Sequence, residues 1–169
     1  TTVIRAEHVL VAAGRAPNVE DLNLEAADVE YSPTVGIQVD DFLRTTSPNI
    51  YAAGDCCSFP LKFTHAADFH ARTIIRNALF LGRAHASALI IPWCTYTDPE
   101  LAHVGWFEKD AVQKHVEFES FKVEFCDIDR AICTGDTEGF VKILAEKGTG
   151  KILGATIVGT NAGDMISAI

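Results

Sequence analysis

The chain has 169 residues and a formal net charge of −9, from 14 basic and 23 acidic side chains. Its 48% apolar and 22% charged residues are globular proportions, which exclude wholesale disorder. The acidic balance argues against nucleic acid or an anionic membrane as a broad-surface partner, and no apolar run approaches the roughly 20 residues of a membrane span. Five cysteines do not form a secreted disulfide framework here, so we expect the cytoplasm or another reducing soluble compartment.

The first half of the chain combines short apolar strands with one long helix. The continuous apolar run over residues 8–13 is typical of a strand buried on both faces. Apolar residues then recur at helical spacing from Thr64 to Leu81, with Thr64 as the N-cap and Gly82 just past the end. Residues 1–90 are therefore predicted to be α/β. Two further short strands are predicted, over residues 37–39 and 50–53.

The second half has a mainly antiparallel pattern, so residues 91–169 are predicted to form an α+β unit. The alternation of apolar residues slips near Ser120, which predicts a bulge, and a short helix is predicted over residues 108–115. The run Gly148-Thr149-Gly150 predicts a hairpin turn, because strand-like rather than helical sequence follows it. The strands are predicted over residues 93–97, 101–105, 116–125, 140–145 and 152–159.

The two ends of the chain suggest a piece of a longer protein. An apolar strand begins only a few residues from Thr1 with nothing before it to pair with. The chain stops soon after a helix begins at Ala162, without a C-cap glycine or a basic closing turn. We therefore expect both a preceding and a following segment in the parent protein.

The sharpest local motif runs from Thr45 to Asp55. A strand that ends in a carboxylate delivers it to the sheet edge where ligands bind in open α/β folds. Gly54 has no side chain, so a ligand can approach the backbone closely, and the ionised Asp55 accepts hydrogen bonds from hydroxyl groups. The helix that begins at Thr64 offers free N–H groups to an electron-rich ligand atom. Taken alone, Gly54-Asp55 is equally compatible with an ordinary turn.

Three segments, in order, resemble the flavoprotein disulfide reductase family, which includes glutathione reductase, dihydrolipoamide dehydrogenase and mercuric reductase. They are similar to the return from the NAD(P) domain, to the second FAD-binding motif and to the opening of the dimerisation domain. Within this family, the sequence most resembles the mercuric-reductase-like branch. The three segments are residues 10–18, 45–55 and 92–105, and the match continues at 129–131, 138–142 and 152–156.

The resemblance implies a division into two parts. Residues 1–90 would be the C-terminal half of an FAD-binding Rossmann-like domain, with residues 1–13 as the strand returning from the NAD(P) domain. Residues 91–169 would be an antiparallel α+β dimerisation domain, truncated at its C-terminus and forming a homodimer. No nucleic acid or membrane partner is implied.

The resemblance also implies cofactor-binding roles. Asp55 would hold the ribityl hydroxyls of FAD, and the backbone N–H groups of residues 64–66 would face the flavin pyrimidine edge. His65 stands where the family often has proline, which puts that contact in doubt. No residue of this chain is assigned a catalytic or metal-binding role. The implied FAD-binding residues are Gly14, Arg15, Ala53, Gly54, Asp55, Thr64, His65 and Ala66.

The family passes electrons from NAD(P)H through FAD to a disulfide or to a soft electrophile such as Hg(II). The motif for the FAD diphosphate, the NAD(P)H motif and the redox cysteine pair are not in this sequence, so the chain alone is expected to be inactive. One alternative is a non-catalytic interaction module that has lost the flavin. Another is a flavoenzyme that reduces a quinone or a metal ion without a redox disulfide.

The cysteines are considered as metal-binding or redox residues. Cys56 and Cys57 are adjacent, and a vicinal pair could bind a soft metal or form a strained disulfide; we favour two small polarisable residues at a strand end. The six residues between Cys126 and Cys133 fit neither the family's redox pair nor a zinc knuckle. Cys94 lies in an apolar strand and is predicted to be part of the core.

Overall fold

The structure is a computed structural model that describes residues 3–59 and 62–169. The chain divides into two compact units, Thr1–Leu89 and Ile90–Ile169. Each unit has its own hydrophobic core, and each is described separately below.

The first unit contains a small hairpin, one long helix and several tight turns. Strand β1 (Tyr31–Ser32) pairs antiparallel with β2 (Gly36–Ile37), and helix α1 spans Thr64–Leu79. Short 3₁₀ turns are formed at Leu24–Ala27, Gly54–Cys56 and Ala86–Ala88. The core between these elements consists of Val19, Val29, Ile37, Ala52 and Cys57.

Helix α1 forms where the sequence predicts it, with differences at both ends. Its buried residues Ala66, His70 and Thr73 recur at steps of four and three, as expected for one helix face packed on a core. The N-cap is Phe63 rather than Thr64. The left-handed residue after the helix is Leu81 and not Gly82.

Gly82 closes the helix by close approach rather than by its backbone conformation. Its N–H donates to the Arg76 carbonyl at 3.1 Å, and a Cβ at Gly82 would lie 2.7 Å from the Arg76 Cγ. The Asn77 side chain completes this end, because it both accepts from and donates to the Ala84 backbone at 2.8 Å. Packing against the last helical turn therefore fixes where α1 ends.

The buried strand predicted over residues 8–13 is wrong. Residues 3–16 form no strand and are exposed; Leu10 is 89% accessible. A strand needs a neighbour for its N–H and C=O groups, and no described residue pairs with this segment. Residues 1 and 2 of the predicted return from the NAD(P) domain lie outside the described residues.

The two short strands predicted over residues 37–39 and 50–53 are also shorter or shifted in the structure. The strand predicted at residues 37–39 is shifted to β2, and residues 50–53 form only a single antiparallel bridge, between Tyr51 and Arg44. Burial of Ala52 still holds the second segment in extended form. Apolarity predicted the burial here, but pairing partners decide whether a strand forms.

The second unit is a five-stranded antiparallel sheet with three short helices. The strand order is β3-β4-β7-β6-β5. The helices are α2 (Glu108–Gln113), α3 (Asp129–Thr134) and α4 (Ala162–Met165), the last of which begins at the predicted residue. The strands are β3 (Trp93–Thr95), β4 (Glu100–Gly105), β5 (Phe118–Glu124), β6 (Phe140–Glu146) and β7 (Ile152–Gly159).

The hairpin between β6 and β7 is confirmed, and the bulge near Ser120 is wrong. Strands β5 and β6 pair in unbroken register past Ser120, while the register shift falls at Leu144/Ala145 between β6 and β7. Strand β5 is an edge strand whose Phe121 and Val123 are exposed. Its slipped alternation therefore reflects weak burial on both faces rather than an extra residue.

The core of the second unit lies between the sheet and its flanking helices. It includes Ala102, Ala155, Ile157, Ala162 and Ile166. The mixture of helix and sheet predicted for the chain is confirmed. Among the described residues, no helix has both the length and the apolarity to cross a bilayer.

Candidate cofactor-binding site

The segment that leads to Asp55 is shaped by a buried threonine. The Thr45 hydroxyl lies 2.9 Å from the Ile50 carbonyl and 3.0 Å from the Ser47 carbonyl, and it accepts from the Ser47 N–H at 3.2 Å. These bonds close the turn predicted around residues 45–49. The chain then runs extended to the 3₁₀ turn over Gly54–Cys56, which presents the Asp55 side chain to solvent.

Strand β2 fixes this turn from one side. The Ser58 N–H donates to the Ile37 carbonyl at 2.8 Å, and Ile37 and Cys57 form a parallel bridge. Gly36 has a φ of +110°, and a Cβ there would lie 2.8 Å from the Cys57 carbonyl carbon and closer still to the Cys56 carbonyl oxygen. Because these contacts are with backbone, only glycine lets β2 approach the turn so closely.

Helix α1 fixes the turn from the other side. A Cβ at Gly54 would lie 3.1 Å from the Cβ of Ala67. Helix α1 therefore occupies the side of Gly54 to which a side chain would point. The Gly54 N–H donates to Nδ1 of the buried His70 at 3.3 Å, which joins the turn to the middle of the helix.

Lys62 binds the turn through its carbonyl groups. Its ammonium donates to the backbone oxygens of Asp55 at 2.6 Å and of Cys57 at 3.0 Å. Within the described ranges, no group hydrogen-bonds to or ion-pairs with the Asp55 carboxylate. The backbone of the turn is thus held by the protein, while its carboxylate remains available to accept bonds from outside.

The first turn of α1, in the same unit, is the second part of the candidate site. Thr64 and His65 are exposed, Ala66 is buried, and His65 stacks on Phe63 with 5.4 Å between ring centroids. No side-chain cap forms at Phe63. The N-terminal end of a helix carries a partial positive charge, so this end of α1 favours an electron-rich group.

Two of the predicted site residues lie elsewhere in the unit. Gly14 and Arg15 belong to the exposed segment that precedes the buried Pro17, and a Cβ at Gly14 would meet no atom within 4 Å. Ala53 is half-buried beside the turn, where its carbonyl accepts from the Cys56 thiol at 3.3 Å. The structure thus brings Ala53, Gly54 and Asp55 together in one turn.

The vicinal cysteines are both free thiols. Cys57 is fully buried, and burial, reinforced by the neighbouring Cys56, raises the pKa of its thiol to about 12. In the described part of the chain, no group of three or more His, Cys, Asp or Glu side chains could hold a metal ion. Cys57 therefore has the environment of a core residue, and Cys56 is partly buried beside it.

A surface groove of about 510 Å³ lies elsewhere in the unit. It is bordered by Gln38, Thr45 and the Asp40–Arg44 ion pair, whose charged atoms are 2.7 Å apart. Asp40 also accepts from the Phe42 and Arg44 N–H groups, so its carboxylate is already satisfied. The groove is therefore a weaker candidate for ligand binding than the turn that presents the exposed Asp55 carboxylate.

Sequence reasoning missed two residues of the candidate site, His70 and Lys62. His70 lies four residues after Ala66 on the buried face of α1, but the sequence analysis predicted neither its burial nor its bond to Gly54. Lys62 has no sequence signal, because it acts on backbone carbonyls that only the folded turn brings together.

Two family models match the chain. The pyridine nucleotide-disulphide oxidoreductase model matches residues 1–71, and the dimerisation-domain model of the same family matches residues 91–169. A mercuric reductase of Acidithiobacillus ferrooxidans is 39% identical over 96% of this chain and 29% of its own length. A dihydrolipoyl dehydrogenase of Geobacillus stearothermophilus is 36% identical over 100% of this chain and 36% of its own.

Solved structures give the same result. The HOCl-induced flavoprotein disulfide reductase RclA from Escherichia coli superposes with a TM-score of 0.84 at 27% identity, over 97% of this chain and 39% of RclA. LpdA from Mycobacterium tuberculosis has the same score and identity over 95% of this chain and 35% of LpdA. The chain belongs to the pyridine nucleotide-disulphide oxidoreductase family, and it spans about a third of the length of these relatives. Members of this family bind FAD and take electrons from NAD(P)H.

Proposed function

We propose that this chain supplies part of the FAD site of an NAD(P)H-dependent oxidoreductase, with Asp55 as the acceptor for the ribityl hydroxyls. The observation that carries the proposal is the exposed Asp55 carboxylate on a turn whose backbone is fastened by β2, Lys62 and His70. An ionised carboxylate accepts from two hydroxyl groups at once, which suits a polyol chain.

The donor set of the unit fits the rest of the cofactor. The N–H groups of residues 64–66 would donate to the electron-rich pyrimidine edge, stabilised by the positive end of α1. Ala53 and Gly54 would lie beside the ribityl chain, and Gly14 and Arg15 would belong to the returning segment near the cofactor. When bound, FAD supplies the electron transfer; these residues bind and orient it.

For the complete protein, we propose electron transfer from NAD(P)H through FAD to a disulfide or to a soft electrophile such as Hg(II). The relatives support this range, since they include mercuric reductases and dihydrolipoyl dehydrogenases. A Cu(II) complex of RclA shows that a structurally similar protein binds a metal ion. This chain contributes cofactor binding to that reaction rather than a catalytic side chain.

We further propose a homodimer formed through residues 91–169, with residues 1–90 as the C-terminal half of the FAD-binding domain. The dimerisation-domain match supports the first part. Five free thiols support a reducing compartment such as the cytoplasm.

The test is Asp55→Asn in the complete protein encoded by the gene. The change keeps the shape and removes the charge, so two charge-assisted bonds are weakened and the FAD Kd should rise about 10- to 100-fold. Apoprotein is titrated with FAD and followed by flavin fluorescence. Asp21→Asn, an exposed acid of the same unit, is the matched control and should bind FAD as the wild type does.

An unchanged FAD Kd in Asp55→Asn would overturn the assigned role of Asp55. Purified complete protein without flavin absorbance would instead favour the non-catalytic interaction module. Steady NAD(P)H oxidation with a quinone, but with neither a disulfide nor Hg(II), would favour the quinone-reducing alternative.

A further inference from the structure

His70 is a buried histidine that the proposed FAD contacts do not use. It lies in the middle of α1 on the face that carries Ala66 and Thr73, and only 1% of it is accessible. Its ring forms a T-shaped pair with the Phe59 ring, with 5.0 Å between centroids. A leucine could fill such an apolar place, so the polar ring atoms of His70 need an explanation.

The hydrogen bond to Gly54 fixes the protonation of His70. Because the Gly54 N–H is a donor, Nδ1 of His70 must be unprotonated to accept from it at 3.3 Å. The ring proton of the neutral histidine is therefore on Nε2. That atom is fully buried, and no partner for it exists among the described residues. Burial without a partner is unfavourable, and it lowers the pKa of His70 by penalising the charged ring.

The hydrogen bond from the Gly54 N–H to Nδ1 offsets the unfavourable burial of the Nε2–H group. The Gly54 N–H begins the 3₁₀ turn, so it has no acceptor within the turn itself. Without His70, the N–H of the half-buried Gly54 would lose this acceptor. The backbone of Asp55 follows directly, so the acceptor on α1 also sets where the Asp55 carboxylate points.

We infer that His70 is a positioning residue for FAD, which acts by holding the Gly54 N–H so that Asp55 meets the ribityl chain. The inference rests on the proposed FAD site. Lys62 holds the Asp55 and Cys57 carbonyls of the same turn, and His70 holds its first N–H. The two residues therefore fix opposite polar groups of one short turn.

The test compares variants that differ in where they place an acceptor. His70→Asn puts its amide oxygen at the position of Nδ1, so it should keep the bond to Gly54. His70→Gln carries the same amide one bond further out, and His70→Leu fills the space without an acceptor. In the complete protein, the FAD Kd should stay within about threefold of wild type for Asn. It should rise about tenfold for Gln and Leu, the loss expected for one buried hydrogen bond.

Unfolding midpoints of the same apoproteins separate positioning from folding. If only packing matters, Leu will bind FAD as well as wild type does, and the inference is overturned. Equal weakening in Asn and Gln would overturn it as well, because acceptor position would then be irrelevant. Should Leu fail to fold, the Asn and Gln pair still decides.

Asp55→Asn, measured alongside, distinguishes this inference from the proposed function. Weakened binding in Asp55→Asn with wild-type binding in His70→Gln and His70→Leu rejects the positioning role alone. Wild-type binding in Asp55→Asn rejects the proposed FAD contact itself.

Discussion

Replacing Gly36 by alanine should loosen the turn that carries Asp55 although Gly36 lies 19 positions earlier in the chain. The left-handed φ of +110° costs an alanine about 1–2 kcal/mol. The new Cβ would also lie 2.8 Å from the Cys57 carbonyl group, which is backbone and cannot rotate away. Relieving that contact stretches the 2.8 Å bond from Ser58 to Ile37, worth about 1 kcal/mol. The sum is about 2–3 kcal/mol.

Amide hydrogen exchange measured by mass spectrometry tests this sum locally. Peptides from residues 29–59 should exchange roughly a hundredfold faster in Gly36→Ala, since about 1.4 kcal/mol corresponds to tenfold. Gly148→Ala is the matched control: its φ is +85°, but no atom lies within 4 Å of the added Cβ. Peptides around that hairpin should exchange only about fivefold faster, for a φ cost of about 1 kcal/mol. Equal effects in the two variants would refute the steric argument.

Two further predictions concern buried titratable groups. Burial lowers the pKa of His70 and of His103, so below about pH 6.5 the unfolded chain binds protons that the folded chain does not. The free energy of unfolding from urea titrations should therefore fall from pH 7 to pH 5, by at most about 1.4 kcal/mol per pH unit for each histidine, and a flat profile would contradict this. Because burial raises the pKa of Cys57 to about 12, a thiol reagent at pH 8 should modify the exposed Cys126 well before Cys57 in native protein. Equal rates before unfolding would show that Cys57 is accessible.

The two buried histidines differ in how they accommodate a proton. His103 is bonded at both nitrogens, to Thr156 Oγ1 at 2.9 Å and to the Gly105 carbonyl at 3.1 Å, and it stacks on Phe107 at 3.6 Å. A hydroxyl can switch from donor to acceptor, so a charged His103 keeps both bonds. The Gly54 N–H cannot switch, so a charged His70 loses its bond. Spacing alone predicts neither outcome.

The sequence predicted the second unit better than the first, for a physical reason. Antiparallel strands such as β6 and β7 are joined by a local turn, so their own residues specify both the pairing and the partner. The apolar run at residues 8–13 specifies burial but not a partner, and no described strand pairs with it. Helix α3 was not predicted, although it is followed by a glycine, Gly135, which adopts a left-handed conformation in the structure.

The support of the candidate site was not predicted from the sequence. The motif that ends at Asp55 predicted a carboxylate at the end of a strand, whereas the structure presents Asp55 from a 3₁₀ turn that follows an extended segment. The hold on that turn comes from Gly36, Lys62 and His70, which lie on three different segments. Such contacts join residues distant in sequence through backbone atoms, so no local pattern of side chains reveals them.

The turn at Gly54–Cys56 consequently couples two parts of the first unit that share little else. It is clamped between β2 and α1, so neither can move without straining it. A molecule bound by Asp55 would reduce the motion of both the β1–β2 hairpin and helix α1. Local unfolding of either element would weaken its binding. The affinity for the ligand and the local stability of the surrounding chain are thus thermodynamically linked. Residues that never contact the ligand can therefore change its affinity.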